Sequence, residues 1–485
     1  MAEAEGDGMW VLAVLAQAHS SVWDAELEAR VETSGADVRM KRLECDNELA
    51  SPASDGAPLR WLHFRTLCCA INVLQQCACV KSALDVWALA PRNDFGTLSS
   101  DFHSRAGAAY ARSAVGPSTR FKYETHVIGS SHSPQQKLSV IDRFDSVLQL
   151  PGIVDLSSPE ERIWLVEVPP NDIQSHNSAG LMLAGRELCR RQVKALPTLH
   201  LSRRLYTGPT TMASEMSLLM CSVAGVQPGS LVLDPLCGSC GILLAASYLG
   251  ASPFGFDVDI RVLRGERSDL DCTTAPSVNV FSNFEQLRLE QPYCIARMDL
   301  HRPSLRNSMI DGLFDAVIAD PPYGLRAGGR KSGKKKVQNR KENMKTKHVE
   351  CASDDGGAAQ HRSFEHLPRT KPYSLSECIN DLLCLATRAL NENGRLVYFL
   401  PGQPEVNAHE LVPVSEHFTV RRVCEERLSL YKSRYLVIAQ RRSHANSTED
   451  CDSLESIGNK LEIMIGETKF DMRKTEISTL RHSEA

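Results

Sequence analysis

Four short apolar runs end at an aspartate: "SLVL" at Asp234, "PFGF" at Asp257 with Asp259 two residues on, "CIARM" at Asp299 and "FDAVIA" at Asp320. One acid at a strand end is an ordinary helix cap. Four recurring in this way read as a ligand site, because an open parallel sheet binds ligands beyond the carboxyl ends of its strands. The first run opens "VLDPLCGSCG" (232–241), a turn of small residues leading into a helix. After Asp234 and Pro235, the residues Gly238, Ser239 and Gly241 let a ligand approach the backbone and the helix N-terminus. The turn is neither G-x-G-x-x-G nor a phosphate loop ending in GK[ST], which argues against a dinucleotide or a nucleoside triphosphate. Asp257 is placed to accept ribose hydroxyls, with Asp259 beside it, and Asp299 to accept from an adenine amino group. An adenosine with a cationic, phosphate-free arm answers that set, and S-adenosyl-L-methionine has this shape.

The fourth run continues as Asp320-Pro321-Pro322-Tyr323. An exocyclic amino group on a base is a poor nucleophile, because its lone pair is delocalised into the ring. Acceptors that hold both N–H hydrogens aim the lone pair outward and stabilise the charge that develops. Asp320 supplies a carboxylate, Pro321 a carbonyl, Pro322 a stiff turn, and Tyr323 a flat face for an extruded base. Residues 326–350 then carry ten Lys/Arg against two acids. A solvated loop or an import signal has the same composition. Beside a base-stacking tyrosine, the run reads as a phosphate-contacting lid, with Arg326, Arg330, Lys331, Lys334, Lys335 and Lys336 as its RNA-binding side chains.

These residues need a scaffold. From about residue 206, apolar strands alternate with helical segments, and "RLVYFLP", "FTVRRVCEERL" and "SRYLVIAQR" follow. That alternation predicts an α/β, Rossmann-like domain with a mostly parallel seven-stranded sheet and an antiparallel pair at its end. The helix within "SLSECINDLLCLATRALNENG" is expected to close at Asn393-Gly394. Upstream, "WVLAVLAQ", "LRWLHF", "TRFKYETHVIG" and "RIWLVEV" read as strands and "SVWDAELEARVETSG" and "SPQQKLSVIDRFDSVLQL" as helices, a mixed α+β region. The division expected is 1–60 and 61–180 in that region, a linker over 181–208, a catalytic domain over 209–442 with a basic insertion at 325–370, and a polar, disordered tail over 443–485.

The formal net charge is −4, so a nucleic acid must be held by local basic patches. No apolar run approaches the roughly 20 residues of a spanning helix, and acids precede the first apolar stretch, unlike a signal peptide. The 16 cysteines show no paired CxxC framework, which suits free thiols in a reducing compartment; Cys237 and Cys240 form the one C-x-x-C, open to a redox or zinc reading. No histidine has metal-ligand spacing, and no metal is expected.

"GPTTMASEMSLLM", "DPLCGSCGILLAASYLGASPFGFDVD" and "FDAVIADPPYGLRAGGRK" together resemble the eukaryotic catalytic subunit of the THUMP-containing tRNA guanine-10 N2-methyltransferases. The resemblance extends upstream through "RFKYETHVIGSSHSPQQKLSVIDRFDSVLQLPG" and covers roughly 60–440. It implies a THUMP-like RNA-binding domain over 61–180 and a cytoplasmic methyltransferase acting on the guanine 2-amino group of tRNA. It also implies a partner, a small zinc-binding activator subunit. Thr210 and Thr211 would then lie beside the methionine arm. The residues alone leave two alternatives open: adenine N6 or another amino-bearing base in RNA or DNA, and a tRNA-binding subunit without catalysis. One departure from the family is Gly238-Ser239-Cys240 in place of a Gly-Thr-Gly-like turn. Cys240 is expected to avoid left-handed backbone, so that either Gly241 serves instead or cofactor affinity falls.

Overall fold

The computed structural model describes residues 8–16, 18–42, 58–104, 107–170, 180–191, 199–208, 211–266, 278–303, 310–322, 329–332, 370–404, 412–413 and 415–443. The polar tail from 444 onward and most of the basic insertion lie outside them.

The N-terminal region is built on one eight-stranded sheet. Its strands are β1 (Met9–Leu15), β2 (Arg39–Arg42), β3 (Leu59–Phe64), β4 (Val80–Pro91), β5 (Arg120–Val127), β6 (Ile153–Val154), β7 (Glu161–Val168) and β8 (Leu181–Arg190), in the order β2-β3-β1-β4-β8-β7-β5-β6. Two expected boundaries are corrected here. A division at residue 60 would cut β3, which pairs with β1 and β2. The expected linker from 181 opens with β8, a central strand paired antiparallel to both β4 and β7. Met182, Leu183 and Ala184 of β8 are fully buried, and Arg186 forms a two-pronged bond with Glu161 of β7.

The helices of this region end where their local chemistry ends them. Helix Trp23–Ser34 stops at Gly35, whose φ of 64° returns its N–H to the Glu32 carbonyl. Helix Pro134–Leu148 starts on a reciprocal cap between Ser133 and Gln136, with proline in its first turn. Its buried face is Val140, Phe144 and Leu148, whereas Leu138 is exposed.

The second sheet has seven strands: β9 (Leu231–Asp234), β10 (Ser252–Asp257), β11 (Cys294–Arg297), β12 (Phe314–Ala319), β15 (Leu390–Gly402), β16 (Phe418–Ser429) and β17 (Lys432–Arg441). Their spatial order is β11-β10-β9-β12-β15-β17-β16. The first five run parallel, and β17 and β16 close the sheet antiparallel, as the alternation predicts. The chain moves outward from β9 to β11, then crosses back to β12, so the direction of winding switches between β9 and β12. A small two-stranded sheet, β13 (Arg330–Ser332) with β14 (Thr370–Pro372), forms the root of the basic insertion. Helix Leu375–Ala389 begins on a Ser374–Glu377 cap and ends four residues before the expected stop at Asn393, because β15 already starts at Leu390.

The two sheets share a core. Helix Trp23–Ser34 packs on helix Ser214–Val223, and Leu27 and Met220 are both fully buried. Arg30 fixes the contact by donating to Ser222 Oγ at 2.8 Å and to the Val226 carbonyl at 2.7 Å. Arg395 of β15 pairs with Glu32, and Arg422 of β16 with Glu28.

Candidate functional site

The parallel register brings the predicted acids to one edge. Asp234 ends β9 opposite Gly255, Asp257 ends β10 beside Arg297, Asp299 follows β11, and Asp320 follows β12. Asp234 and Asp320 therefore flank the switch between β9 and β12, where an open α/β sheet forms its crevice.

Asp234 is 2% exposed and its Oδ1 accepts the Leu236 N–H at 3.0 Å. Burial pushes its carboxyl well above the usual range; the Leu236 bond works against this, and the Asp257 and Asp320 carboxylates add to it. Burial also pushes Asp257 up, although its two oxygens accept the amides of Gly238 (2.9 Å) and Asp259 (2.8 Å). Asp257 thus ties the turn after β9 to the end of β10. A buried carboxyl at Asp234, raised further by the Asp257 and Asp320 carboxylates, suits a cationic occupant.

The turn over 236–240 is built for close approach on one side. Gly238 has φ of 49° and nothing within 4 Å of where a Cβ would stand, so its outer face is open. Pro235 and Ser239 are buried, and Gly241 begins helix Gly241–Tyr248. Ser239 Oγ lies 2.7 Å from Thr211 Oγ1, which also bonds the amide and carbonyl of Gly208. The segment ahead of helix Ser214–Val223 is thereby laced to the turn. Cys240 departs from expectation: it adopts the left-handed conformation itself, φ 65° and ψ 29°, fully buried. The turn has not shifted to Gly241. The Cys240 N–H donates to the Cys237 carbonyl at 2.7 Å, and the helix begins at the next residue, so the geometry leaves this position no other backbone. An open glycine face beside three acids fits an adenosyl sulfonium.

Other predicted residues have local partners. Asp259 caps the short helix Ile260–Leu263 and forms a fork with Arg261, so its oxygens face that arginine. Asp299 accepts the His301 amide at 3.0 Å and, through Oδ2, the Ser332 amide at 2.7 Å, which anchors the root of the insertion to the end of β11. Pro321 is buried and Asp320 and Pro322 half-buried. Arg330 is exposed and bonded to Thr370 Oγ1. Lys331, expected among the phosphate contacts, is corrected: it is 4% exposed, its ammonium lies 2.5 Å from Glu377 Oε1 and 5.1 Å from the Tyr373 ring centroid. An engaged, buried ammonium is a clasp rather than a phosphate ligand. Thr210, Tyr323, Arg326, Lys334, Lys335 and Lys336 lie outside the described residues.

Sequence reasoning missed the wall beyond Asp299. There His301 Nδ1 and Tyr373 O–H both meet Asp381 Oδ2, at 2.9 and 2.5 Å. Only the closeness of His301 to Asp299 hinted at it. Among the described residues no group of three or more His, Cys, Asp or Glu is placed to hold a metal. No helix among them is long and apolar enough to cross a membrane. A depression among the described residues lies elsewhere, at the opposite ends of the strands around Gln227, Asp315, Asn391 and Arg395, and contains none of the candidate residues.

Residues 202–353 match the RMKL-like methyltransferase domain family. The chicken tRNA (guanine(10)-N(2))-methyltransferase TRMT11 is 26% identical over 449 residues, covering 89% of this chain and 87% of its own. The Saccharomyces cerevisiae tRNA (guanine(10)-N(2))-methyltransferase is 26% identical over 68% of this chain and 72% of its own. The human TRMT11 protein is 27% identical over 76% of each chain. TrmN from Thermus thermophilus superposes with a TM-score of 0.42 at 14% identity, over 89% of this chain and 99% of its own. The chain thus carries a methyltransferase domain and is similar, over most of its length, to the eukaryotic tRNA (guanine(10)-N(2))-methyltransferases.

Proposed function

We propose that the chain is the catalytic subunit of an S-adenosylmethionine-dependent tRNA methyltransferase that modifies the exocyclic N2 of guanine, at position 10. The observation that carries this reading is the convergence of Asp257, at the end of β10, and Asp320, after β12, on the buried Asp234 at the end of β9, within the matched domain. The names of the relatives supply the substrate. When bound, S-adenosylmethionine supplies a sulfonium-activated methyl group.

The chain's own residues then have distinct tasks. Asp234 holds the turn and offsets the cofactor's positive charge, and Asp257 accepts the ribose hydroxyls. Asp299 faces the adenine edge, and Thr211 with Thr210 lies beside the methionine arm. The Asp320 carboxylate and the Pro321 carbonyl accept the two hydrogens of the guanine 2-amino group, which turns its lone pair outward and stabilises the charge growing on nitrogen. Pro322 stiffens that turn, and Tyr323 stacks the extruded base. Arg326, Arg330, Lys334, Lys335 and Lys336 contact tRNA phosphates, and the THUMP-like N-terminal region, with β3 and β8 both inside it, grips the same tRNA. On the family resemblance, a small zinc-binding activator completes the enzyme, and the complex works in the cytoplasm.

Asp320→Ala tests the assignment. Methyl transfer is expected to fall on the order of 10²–10³-fold, with tRNA affinity within about twofold. Full activity in this variant would remove Asp320 from the mechanism.

A further inference from the structure

Strands β16 and β17 meet in a two-residue turn, Leu430-Tyr431, because Ser429 pairs with Lys432. Hairpin turns of this length favour Gly, Asn or Asp, whose backbones tolerate positive φ. Neither Leu430 nor Tyr431 has a positive φ. The hairpin closes instead through a register shift between Arg427 and Ser429, and Ser429 Oγ accepts the Tyr431 N–H at 3.3 Å. The large side chains are therefore not what makes the turn. Leu428 is 56% exposed, Leu430 75% and Tyr431 77%. Single apolar side chains on a surface are ordinary, but three within four residues at one tip mark a contact surface.

The base of the hairpin is firm. Arg434 pairs with Glu426 at 2.6 Å and lies over the Phe399 ring, 4.0 Å from its centroid. Ser433 donates to Glu425, and the Tyr435 O–H to the Gln403 carbonyl at 2.5 Å. The two acids nearest the tip are thus engaged at its base. Residues 427–433 carry two charged side chains, Arg427 and Lys432, both basic and both exposed.

Register sets where this tip stands. β17 runs antiparallel to β15, with Ser433 opposite Gly402 at the carboxyl end of β15. β15 runs parallel to β12, with Tyr398 opposite Ala319, the residue before Asp320. The tip therefore projects past the same edge of the sheet that carries Asp234, Asp257 and Asp320. Two strand spacings and about five residues of rise put Tyr431 roughly 20 Å from Asp320. A base brought to Asp320 carries its neighbouring nucleotides over this edge. An aromatic face accepts any unstacked base, and basic side chains beside it meet the phosphates. A stable protein partner would need a wider apolar surface than three side chains flanked by cations.

We propose that the β16–β17 tip is an RNA-contact surface, with Tyr431 and Leu430 as a platform for an unstacked base near the target guanine and Lys432 as a phosphate contact. This rests on the tRNA reading and deepens it by giving the substrate a hold on the methyltransferase sheet itself.

The test measures tRNA binding to the full chain, co-expressed with the proposed activator, by fluorescence anisotropy over a range of salt concentrations. Tyr431→Ala should weaken binding about 5- to 20-fold, and Tyr431→Phe should stay within about twofold of wild type. Lys432→Gln should reduce the salt slope by about one. S-adenosylhomocysteine affinity, measured by calorimetry, should be unchanged in all three. A Tyr431→Ala protein that binds tRNA within twofold of wild type would overturn the platform, as would equal losses in the Phe and Ala variants. Loss of the co-expressed subunit from Tyr431→Ala, with tRNA affinity intact, would make the tip a protein-docking surface and overturn the proposal. Failure of wild type to bind tRNA would instead overturn the tRNA reading, and the surface with it.

Discussion

Gly255→Ala probes how the candidate cofactor turn is held. Gly255 is buried in β10, paired with Asp234 of β9 on one side and Ile295 of β11 on the other, so its backbone cannot retreat. A Cβ there would stand 2.5 Å from Leu243 Cδ1, 3.0 Å from Cys237 Sγ and 3.2 Å from Cys237 Cβ. Leu243 is fully buried, and Cys237 is tied to β10 by its amide, which donates to the Phe256 carbonyl at 2.9 Å. Relief requires Leu243 to leave its rotamer or the turn to lift. Overpacking of this kind costs about 1–3 kcal/mol, and the lower unfolded-state entropy of alanine returns about 0.5–1 kcal/mol. The net expectation is a loss of about 1–2 kcal/mol in urea denaturation. S-adenosylhomocysteine affinity should fall as well, because the lifted turn carries Gly238 and Ser239. Adding Leu243→Val removes the nearest carbon and should recover part of both losses, a favourable coupling of about 0.5–1.5 kcal/mol. A Gly255→Ala protein with wild-type stability and affinity would refute this packing of the turn.

Asp234→Asn keeps the acceptor for the Leu236 amide and removes a desolvated charge, so the ligand-free fold should gain about 1–3 kcal/mol at neutral pH while losing cofactor affinity. Because the folded carboxyl is raised, wild-type stability declines as pH climbs from the unfolded carboxylate range through the folded value. The variant's advantage should therefore vanish in acid and grow with pH; an advantage that is flat with pH would contradict this. His126 behaves oppositely: burial, and then the Lys81 ammonium, whose Nζ is 3.2 Å from its Nδ1, lower its pKa from 6.5 to about 4. The unfolded chain binds the proton first, so stability is lost as pH falls from 6.5 to about 4. His126→Gln should flatten that limb by about 1–2 kcal/mol after allowance for partial exposure, and an unchanged acid limb would speak against it. Lys331→Ala removes the Glu377 pair and the Tyr373 contact. The Ser332 amide, held by Asp299, should then exchange about 10- to 30-fold faster; unaltered protection would show that the clasp is not what closes the root.

The strand ends were legible because each acid follows its own apolar run, and parallel pairing lines the runs up without further information. β8 was not legible: "LMLAGRELCR" mixes apolar and charged residues, and its meaning depends on β4, about ninety residues earlier. Its Arg186 and Arg190 look like linker charge until Glu161 of β7 and Glu124 of β5 are brought beside them. Lys331 is hidden for the same reason. In sequence it is one of ten basic residues, and only the fold brings Glu377 and Tyr373 around it. Cys240 was expected to avoid the left-handed region, but the bond from its amide to Cys237 fixes the turn before side-chain preference can act. The stop at Asn393 was misplaced because β15 takes up Leu390 through its pairing with Phe314.

The most direct test of the central claim is a labelled methyl-transfer assay, with the chain co-expressed with the proposed activator subunit. Unmodified tRNA and a transcript with guanine 10 replaced would be assayed in parallel, and the nucleosides analysed. The account predicts N2-methylguanosine from the first and no label in the second. Label on another nucleoside, or none in either while tRNA and S-adenosylhomocysteine still bind, would contradict it.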